Sequence, residues 1–173
     1  MKLVIFALTG PTSKGVSGGF EVYEEEIALA LEKLGATVEI YCGRGKGEAH
    51  LPSFEQRTKS ITVRRFNSPF NFLPFSIFSM HFYHFFTGRK NTDFVIENQS
   101  VLPMGTPIYK NSLFTVIHHL TGNDFIRKQG RIKGTIGLVA EKFVLPRMYK
   151  NQNILTVSEH TKKDIMSRGF SAT

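Results

Sequence analysis

Within its first 42 residues the chain passes through an apolar run, a glycine-rich stretch, an amphipathic repeat and a second apolar run. No other feature restricts its possible folds as much. Leu3 to Leu8 is continuously apolar, as in a parallel strand covered on both faces. Thr9 to Gly18 holds three glycines and a proline and reads as a loop. From Gly19 the period changes: Phe20, Tyr23, Ile27, Ala30, Leu31 and Leu34 fall on one face of a helix. Gly35 stands where a left-handed cap ends such a helix, and Thr37 to Cys42 is a second strand. Strand, loop, helix and strand make a βαβ unit, and βαβ units build parallel sheets.

The same alternation continues. Gly43 to Gln56 shows no periodicity and reads as an exposed loop, and Ile61 to Phe66 is a third strand. Pro74 to Thr87 is a strongly aromatic helix. Asp93 to Glu97 and Leu113 to Ile117 are strands, the second ending at His118-His119. Ile132 to Tyr149 contains helix around Glu141 to Val144, interrupted at Pro146. Ile154 to Val157 is the last strand, and Ser158 is placed to cap a helix over Glu159 to Arg168, closed by Gly169. With no internal repeat and no linker composition, residues 1–173 read as a single α/β domain with a mostly parallel sheet and helices on both faces.

Composition narrows the function. No apolar run reaches the roughly 18 residues of a transmembrane helix, and the N-terminus lacks the cleavage site of a signal peptide. A single cysteine, Cys42, excludes a disulfide framework and a cysteine-cluster metal site, so a reducing cytoplasm fits best. The net charge of +8 favours polyanionic neighbours: nucleic acid, an anionic membrane surface or phosphate-bearing small molecules. Nucleic acid rests on charge alone, since no recognition motif is present.

Four constellations carry the chemistry. Gly15-Val16-Ser17-Gly18-Gly19 lies between strand and helix, where glycine lets a ligand approach the backbone and the helix start offers free N–H groups. It is neither a dinucleotide fingerprint nor a P-loop. Glu21 and Glu24 in the first turn answer the helix dipole themselves, and a plain βα turn fits the same residues. His118-His119 follows a buried strand, at the end where open parallel sheets bind ligands; a capping or packing role is the plain alternative. Glu97-Asn98 ends another strand on the same rim, a carboxylate and an amide suited to a polyhydroxyl ligand, or simply a polar strand terminus. Lastly, half of the 16 phenylalanines fall between Phe66 and Phe86, and Arg127, Lys128, Arg131 and Lys133 form a basic run. Phe72, Phe75 and Phe78 with Arg127, Lys128 and Arg131 have the composition of a monotopic membrane site or a lipid-acceptor groove. Rings packed in the core and a solvated basic loop are the alternative.

The order of these features resembles a known family. The quoted set is the Gly-Gly-Phe-Glu loop, Leu29 to Val38, Asp93 to Asn98, Thr106-Pro107-Ile108-Tyr109, Thr115 to Leu120, Glu141-Lys142 and Leu155 to Glu159. Together they resemble the N-terminal half of family 4 retaining glycosyltransferases of the two-Rossmann GT-B type, over nearly the whole chain. The resemblance implies one Rossmann-like half of a GT-B fold, binding the acceptor across a cleft from a second domain. It assigns Gly18 and Gly19 to the donor's diphosphate, His118 to the donor sugar as the catalytic-site residue, and Ser158 to the donor side of the cleft. Glu97, Asn98 and His119 fall on the acceptor side. The reaction it implies moves a sugar from a nucleotide-sugar to an acceptor hydroxyl with retention, without a metal or other cofactor. The family's nucleotide-binding second domain has no counterpart in these residues. The chain is therefore expected to be inactive alone and to need that domain in cis or as a partner subunit. A cytoplasmic enzyme, peripheral on the inner face of the membrane, is the expected setting. The non-catalytic alternative is a membrane- or partner-binding α/β module.

Overall fold

The computed structural model describes residues 1–11, 19–44, 48–67, 73–99, 103–122 and 124–170. Seven strands form one sheet: β1 (Lys2–Ala7), β2 (Thr37–Gly43), β3 (Phe54–Gln56), β4 (Ile61–Phe66), β5 (Phe94–Gln99), β6 (Ser112–Ile117) and β7 (Ile154–Thr156). Their order is β3-β4-β2-β1-β5-β6-β7, parallel throughout except for the antiparallel β3–β4 pair. This is the Rossmann-like α/β sheet expected from the alternating sequence. The chain builds outward from β1 in both directions, so the point where its direction reverses lies between β1 and β5.

The strands are apolar because helices cover both faces. Leu3, Ile5 and Ala7 point to one side, with Val38, Ile40 and Ile96, under α1 (Gly19–Lys33). Val4, Phe6, Tyr41 and Val95 point to the other, under α2 (Leu73–Tyr83). Each such side chain contributes about 1.5–3 kcal/mol on burial. Gly35, at φ +82°, caps α1 as expected, with Ala36 N bonded back to Leu31 O. The centre of the buried stripe differs from the periodicity, however. Leu34 and Ala30 are exposed, and the most buried residues of α1 are Ala28 and Glu24.

Two further elements depart from the sequence reading. Phe54–Gln56, expected as loop, is strand β3, held on β4 by Arg65, whose buried guanidinium contacts Glu55 at 2.7 Å. The basic run is helical: Arg127 and Lys128 lie on α3 (Asp124–Gln129) and Arg131 opens α4 (Arg131–Val139). A π-helical turn over Ala140–Val144 then leads into α5 (Leu145–Met148), with Pro146 in its first turn. The final helix, α6 (Glu159–Ser167), is capped by Ser158, whose Oγ accepts from Thr161 N at 3.1 Å.

The loop leaving β1 runs against β2. A Cβ on Gly10 would overlap Cys42 Sγ and lie 2.8 Å from Cys42 Cβ, whereas one on Gly19 meets nothing within 4 Å. Gly10→Ala is therefore expected to cost about 1–3 kcal/mol, and Gly19→Ala to leave stability unchanged or slightly raised, as for glycine in a helix. Urea unfolding of the two variants checks this; equal losses would refute the packing argument.

Candidate functional site

The carboxyl ends of β1, β5 and β6 bring the candidate residues onto one rim, but they do not behave alike. Side chains alternate along a strand, so Glu97 and Asn98 leave β5 on opposite faces. Glu97 faces the α2 side and is completely buried. Oε1 accepts from Met104 N at 3.0 Å and Tyr149 Oη at 2.5 Å; Oε2 accepts from Thr106 N at 3.1 Å and Thr106 Oγ1 at 2.7 Å. These four bonds fill the carboxylate's lone-pair positions. The expectation that Glu97 meets a polyhydroxyl ligand is thereby corrected: it fastens the segment after β5 and the end of α5 to the sheet. Burial raises its pKa, against the lowering effect of those bonds.

Asn98 faces the α1 side and is also buried. Its Nδ2 donates to Glu24 Oε1 at 2.7 Å, and its Oδ1 stands 2.8 Å from His118 Nε2. Asn98 thus reaches the site through His118. The His118 ring is half-buried and packs edge-on against Tyr23, with centroids 4.8 Å apart, while its backbone oxygen accepts from Thr161 Oγ1 at 2.9 Å. Burial, and behind it the neighbouring His119, lower the His118 pKa, so the ring is neutral near pH 7. His119 is exposed on the loop beyond β6. That loop is held from below by Glu141, which accepts from Thr121 N at 2.5 Å and Gly122 N at 2.8 Å and pairs with Arg168.

Gly19 is exposed at the first turn of α1, and Gly18 lies outside the described residues. The ends of the loop before it are tied down: Thr9 Oγ1 donates to Glu21 Oε1 at 2.9 Å, and Arg65 Nη2 donates to Pro11 O at 2.5 Å. Glu24 does not answer the helix dipole as expected; it is turned inward to Asn98, and desolvation raises its pKa well above the ordinary carboxylate value. The sequence held a signal for this, because Glu24 sits four residues before Ala28 and three before Ile27, inside the apolar stripe. Ser158 is exposed beyond β7 and spends its Oγ on the α6 cap. Among the described residues, no three His, Cys, Asp or Glu side chains are grouped to hold a metal ion.

The aromatic helix is turned the opposite way from a core reading. Ser76, Met80, His84 and Gly88 form its buried row, and Phe75, Phe78, Phe82, Phe85 and Phe86 face outward, Phe78 being 64% exposed. Successive outward rings touch, Phe82 and Phe86 at 4.6 Å between centroids, and the Arg89 guanidinium lies 5.7 Å from the Phe85 ring. A second apolar stripe follows on α4 and the π-turn, where Ile132, Ile136, Val139 and Phe143 are exposed. An open groove of about 300 Å³ there is lined by Thr135, Ile136, Val139, Ala140 and Val144. Arg127 and Arg131 are exposed beside it, and Lys142 and Arg147 bracket the Phe143 ring. Phe72 and the side chain of Lys128 lie outside the described residues. No helix of the described residues is long and apolar enough to cross a membrane.

In fold the chain is similar to the sucrose-phosphate synthase of Thermosynechococcus elongatus, with a TM-score of 0.61 at 12% identity over 98% of its own length. It covers 45% of that synthase, less than half of the longer chain. A second structure of the same synthase matches with a TM-score of 0.59 at 10% identity, over 100% of this chain and 84% of the other. No protein-family model matches the sequence, and no curated protein does. The domain therefore shares its Rossmann-like α/β fold with part of that synthase.

Glu97→Gln keeps the volume but turns an NH₂ group toward donors. It is expected to destabilise the domain by about 3 kcal/mol, since buried donors lose their acceptor. Thermal or urea unfolding measures this, and a loss below about 1 kcal/mol would refute the role given to Glu97.

Proposed function

We propose that the chain is the acceptor-side N-terminal domain of a family 4 GT-B glycosyltransferase, which moves a sugar from a nucleotide-sugar donor to an acceptor hydroxyl with retention. The observation that carries this reading is an imidazole, His118, held by Asn98 and Tyr23 at the carboxyl end of β6 in a fold shared with a sucrose-phosphate synthase. His118 meets the donor sugar, Gly18 and Gly19 receive the diphosphate, and Ser158 and His119 border the cleft. The nucleotide is held by a second domain, in cis or on a partner subunit, and this domain alone does not turn over. The departing phosphate serves as the base on the face where it leaves, so no metal enters the step.

The test uses the intact protein with a panel of nucleotide-sugar donors. His118→Ala is expected to lower kcat by about a hundredfold or more, and Gly19→Ala to raise the donor KM without loss of stability. Absence of transfer by the folded intact protein, or a His118→Ala variant of wild-type rate, would refute the reading. Turnover by residues 1–173 alone would refute the need for a second domain.

The outward phenylalanines favour a further element of this reading: an anionic membrane carrying a lipid-linked acceptor. From Ile126 to Lys150 the single acidic residue is Glu141, which is buried, while seven lysines and arginines fall in the same span. Exposed apolar residues on α2 and α4, and an excess of cations over Asp124 and Glu141 on α3 to α5, match the acyl and phosphate layers of such a surface. Phe78→Ser with Phe82→Ser is expected to weaken vesicle binding by about tenfold or more. Arg131→Glu should weaken binding only to anionic vesicles, and His118→Ala should leave it unchanged. Equal binding by the phenylalanine variant and the wild type would refute the membrane surface; binding to neither vesicle type would assign the stripe to a protein partner.

A further inference from the structure

The buried row of α2 contains one titratable group, His84, and the fold leaves it unanswered. The ring is completely enclosed, yet neither nitrogen has a hydrogen-bond partner among the described residues. Its neighbours are other rings, with centroids of Tyr109 at 4.7 Å, Phe6 at 5.4 Å and Tyr41 at 5.9 Å. The π-turn fixes its place: Arg89 N donates to His84 O, and a Cβ on Gly88 would stand 2.9 Å from His84 Nδ1. His81, three positions earlier, is in the opposite situation. Its Nδ1 lies 2.6 Å from Tyr109 Oη and its Nε2 2.5 Å from Met104 O.

A neutral imidazole is tolerated among rings, but an imidazolium carries a charge and two N–H donors that need acceptors or water. The groups that face His84 do not supply them. His81 on the same helix, Arg89 beyond the π-turn and Lys2 on β1 all oppose a positive charge there, and Glu39 on β2 alone favours it. Glu39 is already engaged by Arg64 at 2.9 Å and Lys2 at 3.5 Å. Tyr41 and Tyr109 are phenols that burial keeps neutral. Burial first, and these cations after it, lower the His84 pKa to about 4.

A proton on this ring acts on α2 before it acts on the strands. Parallel ladders join β1 to β2 and β5, and α1 covers their other face. Helix α2 meets the sheet through Ser76, Met80, His84 and Gly88, and the serine and the glycine bury little apolar surface. Elements with few buried apolar contacts open first, and opening here brings the imidazolium to water.

We propose that His84 is an acid-sensitive latch: proton uptake on its ring releases the aromatic helix α2 and its π-turn from the sheet while the strands stay paired. The released segment carries Phe75, Phe78, Phe82, Phe85 and Phe86. Acid thus turns a fixed apolar surface into a mobile one. The latch depends neither on what that surface binds nor on the transferase reading.

The sign follows from the two forms of the ring. Released, it takes a proton near the ordinary value of 6.5; seated, only near 4. The released form therefore gains as pH falls below about 6.5, and the gain levels off below about 4. At pH 5 the ratio of released to seated helix should rise by about ten- to thirtyfold over its value at neutral pH.

Hydrogen exchange of the intact protein at pH 7 and pH 5, corrected for the intrinsic pH dependence of amide exchange, reads this release. Amides of α2 and the π-turn are expected to lose about tenfold or more of their protection at pH 5, while β1 and β5 keep theirs. His84→Met fills the site without titrating and should abolish the loss. Because it retains Glu24, Glu97 and His118, it also separates their titration from that of His84. If His84→Met does not fold, His84→Gln makes the same comparison. Unchanged protection of α2 in the wild type would overturn the latch without any variant. So would an equal loss in the variant, a loss shared by β1 and α2, or a His84 ring that titrates near 6.5 by NMR with α2 still protected.

Discussion

Glu97 is a carboxyl group that water does not reach, and the half of the domain beyond β5 is assembled on it. Its partners lie at Met104 and Thr106, just after the strand, and at Tyr149, beyond the last helical turn on that side. Tyr149 Oη in turn accepts from Gly105 N at 3.0 Å. Buried carboxylates are tolerated when their lone pairs are filled, and these are. The consequence for the rim follows from the pleat. Because neighbouring residues leave a strand on opposite faces, the residue that anchors the α2 side sits directly before the one that reaches toward α1 and His118. One strand end therefore builds structure on one face and orients a site residue on the other.

Much of the fold was legible because its strands are buried on both faces and so read as apolar runs. Ile61–Phe66 matched to the residue, and the left-handed glycines at 35 and 169 ended their helices where expected. The site was legible as a location, since ligands of open parallel sheets bind at the carboxyl ends of the strands. It was less legible as a set of roles. Nothing in the dipeptide Glu97-Asn98 says which of the two is consumed by the fold, because that depends on Tyr149, fifty-two positions away. Strand β3 was hidden because it is only three residues long and is held by Arg65 from the neighbouring strand. Helix α3, between a glycine-containing loop and Gly130, offered a charge run but no apolar period.

The phenylalanines are instructive in the same way, since hydrophobicity alone would have placed them inside. Helix α2 lies too close to the sheet for that. A Cβ on Gly43 would stand 2.9 Å from Ser76 Oγ, and one on Gly88 would stand 2.6 Å from Tyr41 Oη. Ser76, Met80, His84 and Gly88 occupy this narrow gap, with Ile77, His81 and Tyr83 half-buried along its edges. A row with period four drifts by about 40° per step on a regular α-helix. The wider π-turn over His84–Gly88 returns Gly88 to the sheet side. The rings are left outside by geometry, and together they make an exposed apolar patch.

Charge is unevenly spread over the helices. On the α1 side, Glu21, Glu25, Glu26 and Glu32 make the helix acidic, and Glu32 also binds Thr58 and Ser60 at the β3–β4 turn. Away from it, Arg89 lies against the Phe85 ring of one apolar stripe, and Lys142 and Arg147 bracket Phe143 of the other. The rim lies between, and its central group, His118, is neutral near pH 7. A neutral imidazole beside a buried amide compensates a diphosphate poorly, because two phosphate charges need cations or several backbone N–H groups. On the transferase reading, most of the nucleotide's charge is therefore left to another domain.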